Sequence, residues 1–419
     1  MIDTVFASPQ ARARLNNGPL GSYLATLTTD LHVLGYAVDT IRRNVRSSDA
    51  FFRWLLQQGL SVADASEATI TRYVASLGRL PDSKRLRGRL PSAAVGLRPV
   101  VKLLRLYGAV APEAQAATTE AGKWLDSFAQ HLKCVIGCTT GTRQTYLRYA
   151  RHLMESRFAL TRADWQGLSV EDVADFVRRE TEKLTPSHCR LPATATRAFL
   201  RFLVFKGEIH SGLLGAIPPI REWKHASLPL HLSDEELTRL IAVSEEPSAT
   251  RYRNRAILLL LVRLGLRANE VVNLRLDDID WVQGRVLVQA GKTHRERSLP
   301  LARDVGEALV EYLKHERPKR NDRYLFLGTR APLRPLKNSS AITPIVTRLL
   351  KRANISRPHM GAHVLRHTAA TKMLCAGAPF KQIADVLGHQ SLRSTTIYAK
   401  LNLQMLARVA LPWPGGALC

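Results

Sequence analysis

Six residues in the carboxyl-terminal part of the chain have types that together could transfer a phosphoryl group. In chain order they are Arg267, Lys292, His363, Arg366, His389 and Tyr398. Phosphoryl transfer depends on positioning and on stabilising charge at the non-bridging oxygens, and the planar fork of arginine does this well. The sequence offers neither the paired carboxylates of a two-metal site nor a glycine-rich phosphate loop. We therefore expect chemistry that uses no metal ion, no other cofactor and no ATP.

The flanking residues make this pattern specific. The four segments are Gly265-Leu266-Arg267-Ala268-Asn269-Glu270, Gly291-Lys292, His363-Val364-Leu365-Arg366, and Leu387-Gly388-His389 followed by Tyr398. Their order and flanks resemble the catalytic signature of the tyrosine recombinase, or phage-type integrase, family, over about residues 232–401. Each residue alone would be an ordinary surface or core residue, so the interpretation depends on the joint order.

The resemblance makes Tyr398 the nucleophile that forms a covalent phosphotyrosine with DNA. A free tyrosine has a pKa of ~10, so a base must help to remove its proton at neutral pH. His363 is the best candidate because histidine titrates near neutral pH. His359 is a weaker rival, since it lacks an arginine three residues later, and we interpret His367 as a structural helix residue.

The other members of the signature have roles around the phosphate. Arg267 and Arg366 would clamp its non-bridging oxygens, and His389 would hydrogen-bond it in the transition state. Lys292 would protonate the departing 5′ oxygen. Glu270, about one helical turn after Arg267, is well placed to orient that arginine from behind.

The elements that must position these residues are mostly helices. Ser233 and Glu236 predict a capping box at a helix start, and a buried helix follows at 255–264. Alternating β-branched residues predict a hairpin of strands 285–290 and 297–301, with Lys292 at its tip and Arg295 and Arg297 towards phosphates. Helices are then predicted at 304–314, 342–352, 367–375, 381–387, 394–401 and 403–409.

The charge of the chain points to a polyanionic partner. Its 419 residues contain 61 Lys and Arg against 35 Asp and Glu, a net charge of +26. Double-stranded DNA is the expected partner, with a ribosomal or membrane-surface role as the alternative from charge alone. No apolar run is long enough to span a membrane, and no signal peptide is evident. The five cysteines predict no disulfide framework, so we expect a cytoplasmic, nucleoid-associated protein of bacterial type.

Three domains are predicted, at residues 1–115, 123–210 and 228–419. The fold class is mainly α: two amino-terminal helical, SAM-like DNA-binding domains and a mostly helical catalytic domain with a small β-hairpin sheet. The second domain resembles the core-binding domain of the family. The first looks like a duplicate of it, although two unrelated helical bundles would share the same periodicity. Basic residues in the two domains are candidate DNA contacts: Arg79, Lys84, Arg85, Arg87, Arg89, Arg143, Arg148 and Arg151.

The resemblance implies site-specific recombination between two DNA sites by a homo-tetramer assembled on DNA. We favour integration, excision or transposition of a mobile element, with accessory recombinases as possible partners. The amphipathic tail after Tyr398 would dock on a neighbouring protomer, or pack on its own core. Two alternatives remain: a type IB topoisomerase that relaxes DNA, and a catalytically inactive DNA-binding protein of the same fold.

Overall fold

The structure is a computed structural model. It describes residues 1–77, 90–112, 119–158, 164–185, 188–217, 230–290, 296–336, 338–356, 360–389, 391, 395 and 397–398, with only the backbone for 90–95. The chain forms two compact units, one made of Met1–Pro112 with Ser227–Cys419 and the other of Glu113–Ala226. The described residues are mostly helical with one small antiparallel sheet, which confirms the coarse fold class.

The amino-terminal part of the first unit is a helical bundle. Its helices are α1 (Ile2–Val5), α2 (Pro9–Asn16), α3 (Leu24–Val33), α4 (Val38–Gln57), α5 (Glu67–Leu77) and α6 (Leu90–Leu106). Phe51, Phe52 and Leu55 lie on one face of α4 and are fully buried in the bundle core. The bundle is therefore held together mainly by apolar burial along this long amphipathic helix.

The second unit is also a helical bundle. Its helices are α7 (Glu120–Cys134), α8 (Thr140–Phe158), α9 (Val170–Glu182) and α10 (Arg190–Phe205). Phe128, Trp165, Phe199 and Phe202 stack edge to face or at a tilt in its core. Helices α8 to α10 begin about 100 residues after α4 to α6. This shared order agrees with a duplication, which stays a prediction.

The carboxyl-terminal part of the first unit carries the candidate site. Its elements are α11 (Asp234–Glu245), α12 (Arg251–Arg263), α13 (Ala268–Asn273), β1 (Ile279–Asp280), β2 (Arg285–Val288), β3 (Arg297–Pro300), α14 (Arg303–His315), α15 (Ile342–Arg352), α16 (Ala362–Cys375) and α17 (Phe380–Leu387). The capping box at the start of α11 is confirmed: the Ser233 hydroxyl accepts from Glu236 N at 3.2 Å, and the Glu236 carboxylate accepts from Ser233 N at 2.9 Å.

The predicted hairpin is confirmed and has a third strand. The sheet order is β1-β2-β3, all antiparallel, with Val286 opposite Leu299 and Val288 opposite Arg297. Strand β1, which the sequence pattern did not predict, pairs Ile279 with Val286. The hairpin tip, with Lys292 and Arg295, lies outside the described residues.

Helix α12 is the centre of this part. All its side chains from Ala256 to Val262 are buried, as a helix surrounded by other elements requires. It packs against α14 on one side and α16 on the other. No helix in the described ranges has the length and apolar character needed to cross a membrane.

Helix α16 differs from its prediction in a way that matters for the site. It begins at Ala362, not at His367, because Gly361 provides an extended residue before the first turn. His363 and His367 therefore lie on one face of the helix about one turn apart, and Arg366 lies next to His367 in the second of these turns. The predicted helices at 394–401 and 403–409 lie almost entirely outside the described residues.

Candidate active site

The site begins where α12 ends. Gly265 has a φ of +60°, and a Cβ there would lie 2.6 Å from Cδ2 of Leu387. Only glycine fits both the left-handed backbone and this close approach. The chain then turns so that Arg267 becomes the residue preceding α13, where the Glu270 carboxylate accepts its backbone N–H at 2.8 Å.

Glu270 joins two arginines. Its Oε1 accepts from Arg267 Nη1 at 2.9 Å, while Arg297 donates to both carboxylate oxygens at 3.1 and 2.7 Å. Burial by itself raises the pKa of Glu270, but the hydrogen bonds and charges of Arg297 and Arg267 outweigh it and hold the pKa below its usual value. The orienting role predicted for Glu270 thus has a geometric basis, and Arg297 is a partner that the sequence analysis did not find.

Arg366 is anchored deep in the protein. The residue is 4% exposed, and its Nη1 and Nη2 donate to the carbonyls of Gly265 and Leu387 at 2.6 and 2.5 Å. Burial, and to a smaller extent the charge of Arg267, lowers the pKa of Arg366 to about 10, so the guanidinium stays charged at neutral pH. A guanidinium has five N–H donors, so these two bonds leave others for a phosphate.

The carboxyl end of α17 gathers three arginines on consecutive carbonyl groups. Arg297 Nε donates to Val386 O at 2.8 Å, Arg366 Nη2 to Leu387 O, and Arg267 Nη2 to Gly388 O at 3.0 Å. The last carbonyls of a helix lack intrahelical partners and form the negative end of its dipole. This helix end therefore fixes the arrangement of the cationic site.

His389 leaves this helix end next to the arginines. Gly388, with a φ of +62°, ends α17. The next residue is His389, whose Nδ1 lies 2.7 Å from the Thr395 hydroxyl. Burial and the charge of Arg366 lower the pKa of His389 to about 4, so the ring is neutral at pH 7. If the buried Thr395 hydroxyl donates to Nδ1, the Nε2 carries the hydrogen and can donate to a phosphate oxygen.

Tyr398 is buried in a small apolar cluster with Ala370, Leu374, Ile383 and Leu387. It is 1% exposed, and its hydroxyl lies 2.8 Å from Nδ1 of His367. Burial raises the pKa of Tyr398, and the nearby charges of Arg366 and Arg267 offset part of this rise.

The hydroxyl partner corrects our interpretation of His367 as a purely structural residue. The described residues include no hydrogen bond between His363 and Tyr398; instead the His363 ring stacks on the His367 ring with centroids 5.8 Å apart. Burial, followed by the influence of His363 and Arg366, lowers the pKa of His367 to about 4, so its ring is neutral at pH 7 and Nδ1 can accept a hydrogen bond from the tyrosine hydroxyl. The position of His367 four residues after His363 was the signal that could have revealed this contact.

Arg297 corrects a second interpretation. We expected it to contact phosphate from the hairpin, but its side chain is 9% exposed and points to Glu270 and Val386. Other predicted residues lie outside the described ranges: Lys292, His359, Arg79, Lys84, Arg85, Arg87 and Arg89. In the second unit, Arg143, Arg148 and Arg151 lie on α8, half-buried or exposed, and Arg148 stacks on the Tyr149 ring.

Comparison with known proteins agrees with this site. Residues 231–405 match the model of the phage integrase family. The putative integrase/recombinase y4rA of Sinorhizobium fredii is 34% identical over 97% of this chain and 98% of its own. Tyrosine recombinase XerC of Bacillus pumilus is 32% identical, covering 58% of this chain and 80% of its own.

Two solved structures share the fold. The XerH site-specific recombinase bound to palindromic difH substrate, in a post-cleavage complex, has a TM-score of 0.54 at 20% identity, covering 72% of this chain and 98% of that one. The Tn1549 transposon integrase with circular-intermediate DNA has a TM-score of 0.51 at 16% identity, covering 67% and 99%. The comparisons favour neither the topoisomerase nor the inactive DNA-binding alternative. With its full-length relative, its family match and its assembled arginine, histidine and tyrosine cluster, this chain belongs to the phage integrase family of tyrosine recombinases and is a site-specific DNA recombinase.

Proposed function

We propose that this recombinase cuts one DNA strand by attack of Tyr398 on the scissile phosphate and forms a 3′-phosphotyrosine. The observation that carries the proposal is the convergence of Arg267, Arg366 and His389 on the carboxyl end of α17, in the unit that buries Tyr398. Two guanidinium groups and one imidazole at one helix end supply the charge stabilisation that phosphoryl transfer needs.

Each reacting atom has an assigned partner. The non-bridging oxygens bind Arg267 and Arg366, and His389 Nε2 donates to one of them. The Tyr398 Oη–P bond forms as the P–O5′ bond breaks. The tyrosine proton goes to His363, which we retain as the general base, and Lys292 gives a proton to the departing 5′ oxygen.

The second half of the reaction reverses the first on a different strand. A 5′ hydroxyl of the partner DNA attacks the phosphotyrosine, the new P–O5′ bond forms, and Tyr398 leaves and recovers its proton. The phosphotyrosine conserves the energy of the broken bond, so rejoining needs no nucleotide triphosphate. The metal-free charge stabilisation follows from the two arginines and Lys292.

His367 holds the nucleophile before attack. With a pKa of about 4 it is a weak proton acceptor, so a hydrogen bond is favoured over full proton transfer. Because Tyr398 is 1% exposed, its hydroxyl has to leave this buried position to reach a phosphate. We propose that DNA binding makes this change.

The helical domains at 1–115 and 123–210 are proposed to bind duplex DNA as SAM-like modules. Support comes from the net charge of +26 and from the basic residues on α8, among them Arg143, Arg148 and Arg151. XerH and the Tn1549 integrase were both solved bound to DNA. We propose a homo-tetramer on two DNA sites in the bacterial cytoplasm, at the nucleoid, that integrates, excises or transposes a mobile element, with accessory recombinases as further partners.

A nicked suicide substrate tests the chemistry. DNA from the ends of the element that encodes the protein is nicked near the cleavage site, so that the short cut fragment is lost and rejoining fails. We expect a denaturation-resistant protein–DNA band without added metal, which maps to Tyr398 and disappears in Tyr398→Phe while DNA binding persists. Tight binding of this DNA without any band for the wild-type protein would contradict the proposal.

A further inference from the structure

Arg297 occupies the centre of the arginine cluster, with its guanidinium bonded to acceptors of the protein itself. It is the first residue of β3, and its side chain is 9% exposed. All three guanidinium nitrogens are engaged: Nε donates to Val386 O at 2.8 Å, and Nη1 and Nη2 donate to the Glu270 carboxylate at 3.1 and 2.7 Å. This geometry orients a neighbour and leaves little for a phosphate.

The bidentate pair determines where Glu270 sits. The remaining capacity of the Glu270 carboxylate is used by Arg267, through its backbone N–H at 2.8 Å and its Nη1 at 2.9 Å. A carboxylate held from one side by a rigid fork presents a fixed acceptor on the other side. Among the linked side chains of Arg297, Glu270 and Arg267, that of Arg267 is the most exposed to solvent, at 31%.

A second link ties Arg297 to the His389 segment. A Cβ at Gly388 would lie 2.8 Å from Arg297 Nη1 and 3.2 Å from its Cζ, so the guanidinium packs directly against that glycine. The bond to Val386 O anchors the same group to the end of α17. Arg297 thus joins three parts of the chain that are distant in sequence: the hairpin strand, the start of α13 and the end of α17.

We propose that Arg297 is a positioning residue for DNA cleavage, which holds Glu270 so that Arg267 is presented to the scissile phosphate. The inference rests on the proposed function. The contacts of Arg297 also anchor strand β3 at the site, and Lys292 lies only five residues before Arg297 in the sequence. Substitution of Arg297 should therefore act on the step at which the phosphate charge is stabilised.

The test compares two suicide substrates that differ only at the scissile group. One has the natural phosphate, and the other has a methylphosphonate, in which a methyl group replaces one non-bridging oxygen and removes the negative charge. An arginine that stabilises this charge matters less for the neutral substrate. Single-turnover rates of adduct formation are measured for the wild type, Arg297→Met, Arg297→Lys and Arg267→Met.

We expect Arg297→Met to cut the phosphate substrate about 100-fold more slowly than the wild type. On methylphosphonate its deficit should shrink, as the deficit of Arg267→Met does. Arg297→Lys keeps the charge but loses the fork, so it should fall between the wild type and Arg297→Met with the same substrate dependence. DNA affinity should change less than about threefold, because the guanidinium is bonded to Glu270 and Val386 and is not expected to contact DNA.

Arg253→Met is the matched control. Arg253 is also a buried arginine, 7% exposed, whose Nη1 donates to the Leu327 carbonyl at 3.4 Å, away from the cluster. Its loss should affect stability and slow both substrates by one common factor. Circular dichroism melting of each variant checks the fold, and Arg297→Lys keeps the test decisive if Arg297→Met melts too low.

The outcomes separate the two proposals. If the wild type cuts and Arg297→Met slows both substrates equally, as the control does, the positioning role is overturned and Arg297 only stabilises the fold. If Arg297→Met cuts at the wild-type rate, the inference is also overturned. If the wild-type protein forms no adduct with the phosphate substrate, the proposed function fails and the inference falls with it.

Discussion

The hydroxyl of Tyr398 lies 2.8 Å from Nδ1 of His367, one turn along α16 from His363. The tyrosine is therefore hydrogen-bonded and 1% exposed, close enough to Arg366 and Arg267 for their charges to offset part of the rise in its pKa. The sequence pattern assigns the general base to His363, and the structure adds a second histidine in contact with the hydroxyl. We propose that His367 holds the tyrosine and that His363 receives the proton when a phosphate is present.

These two roles predict different losses of cleavage rate when each histidine is replaced. His363→Ala should slow adduct formation by about 100-fold or more, because a general base is removed. His367→Ala should slow it by about tenfold, because the hydroxyl loses the partner that holds it in position. His367→Gln should recover part of that loss, since its amide oxygen accepts a hydrogen bond. Single-turnover cleavage of the suicide substrate measures all three rates.

If His367→Ala slowed cleavage more than His363→Ala, the general base would be His367. A cleavage rate for His367→Ala at or above that of the wild type would show that the hydrogen bond restrains Tyr398 instead of preparing it. Gel-shift affinity for the uncut DNA serves as the control, because neither histidine is expected to contribute to ground-state binding.

A second prediction concerns acidification. The pKa values of His367 and His389 are lowered from 6.5 to about 4 in the folded state, in both cases mainly by burial. The unfolded chain therefore takes up these protons first, so stability is fully present above pH 6.5 and falls as the pH is lowered from 6.5 towards 4. Glu270, with a pKa lowered from 4.5, keeps its contribution above that pH and loses it as the pH falls further.

Thermal unfolding measured between pH 7.5 and 4.5 checks this expectation. The melting temperature should fall across the window, and the fall should be smaller in His389→Asn, which has no titrating ring. An unchanged slope in this variant would contradict the low pKa of His389. The comparison is best made at one ionic strength, since a chain with a net charge of +26 is sensitive to salt.

Gly388 allows a matched glycine test. Gly388→Ala places a Cβ 2.8 Å from Arg297 Nη1 at a φ of +62°, whereas Gly284→Ala has a φ of +60° and nothing within 4 Å. Both should lose about 1–2 kcal/mol from the left-handed backbone. Only Gly388→Ala should lose more stability than this and also slow cleavage, because it displaces Arg297 and the segment before His389. Equal stability and equal cleavage rates for the two variants would contradict the tight packing at α17.

The Thr395 hydroxyl should affect the cleavage rate by orienting the His389 ring. Thr395→Val keeps the shape of the buried side chain but removes the group that lies 2.7 Å from His389 Nδ1. We expect cleavage to slow by about tenfold, since the ring is no longer held in orientation or tautomer. Thr395→Ser keeps the hydroxyl and should cut at nearly the wild-type rate. A rate for Thr395→Val equal to that of Thr395→Ser would show that the ring is oriented by other contacts.

The sequence by itself determined the family and much of the local structure. The order of arginine, histidine and tyrosine segments indicated the recombinase chemistry, and the capping box at Ser233 and the strands of the hairpin were predicted from spacing alone. The capping box and the strands depend on residues that are close in the chain. Local rules of capping and alternation therefore suffice to find them.

Only the tertiary structure decided how the site is held together. The carbonyls of Val386, Leu387 and Gly388 receive arginines from three distant segments, and His367 meets a tyrosine that lies 31 positions away. Backbone carbonyl acceptors at a helix end are the same for every sequence, so no residue type in the sequence identifies them. Which arginine lies on which carbonyl, and which histidine reaches the hydroxyl, follows from the packing of α12, α16 and α17, which brings these segments within hydrogen-bond distance.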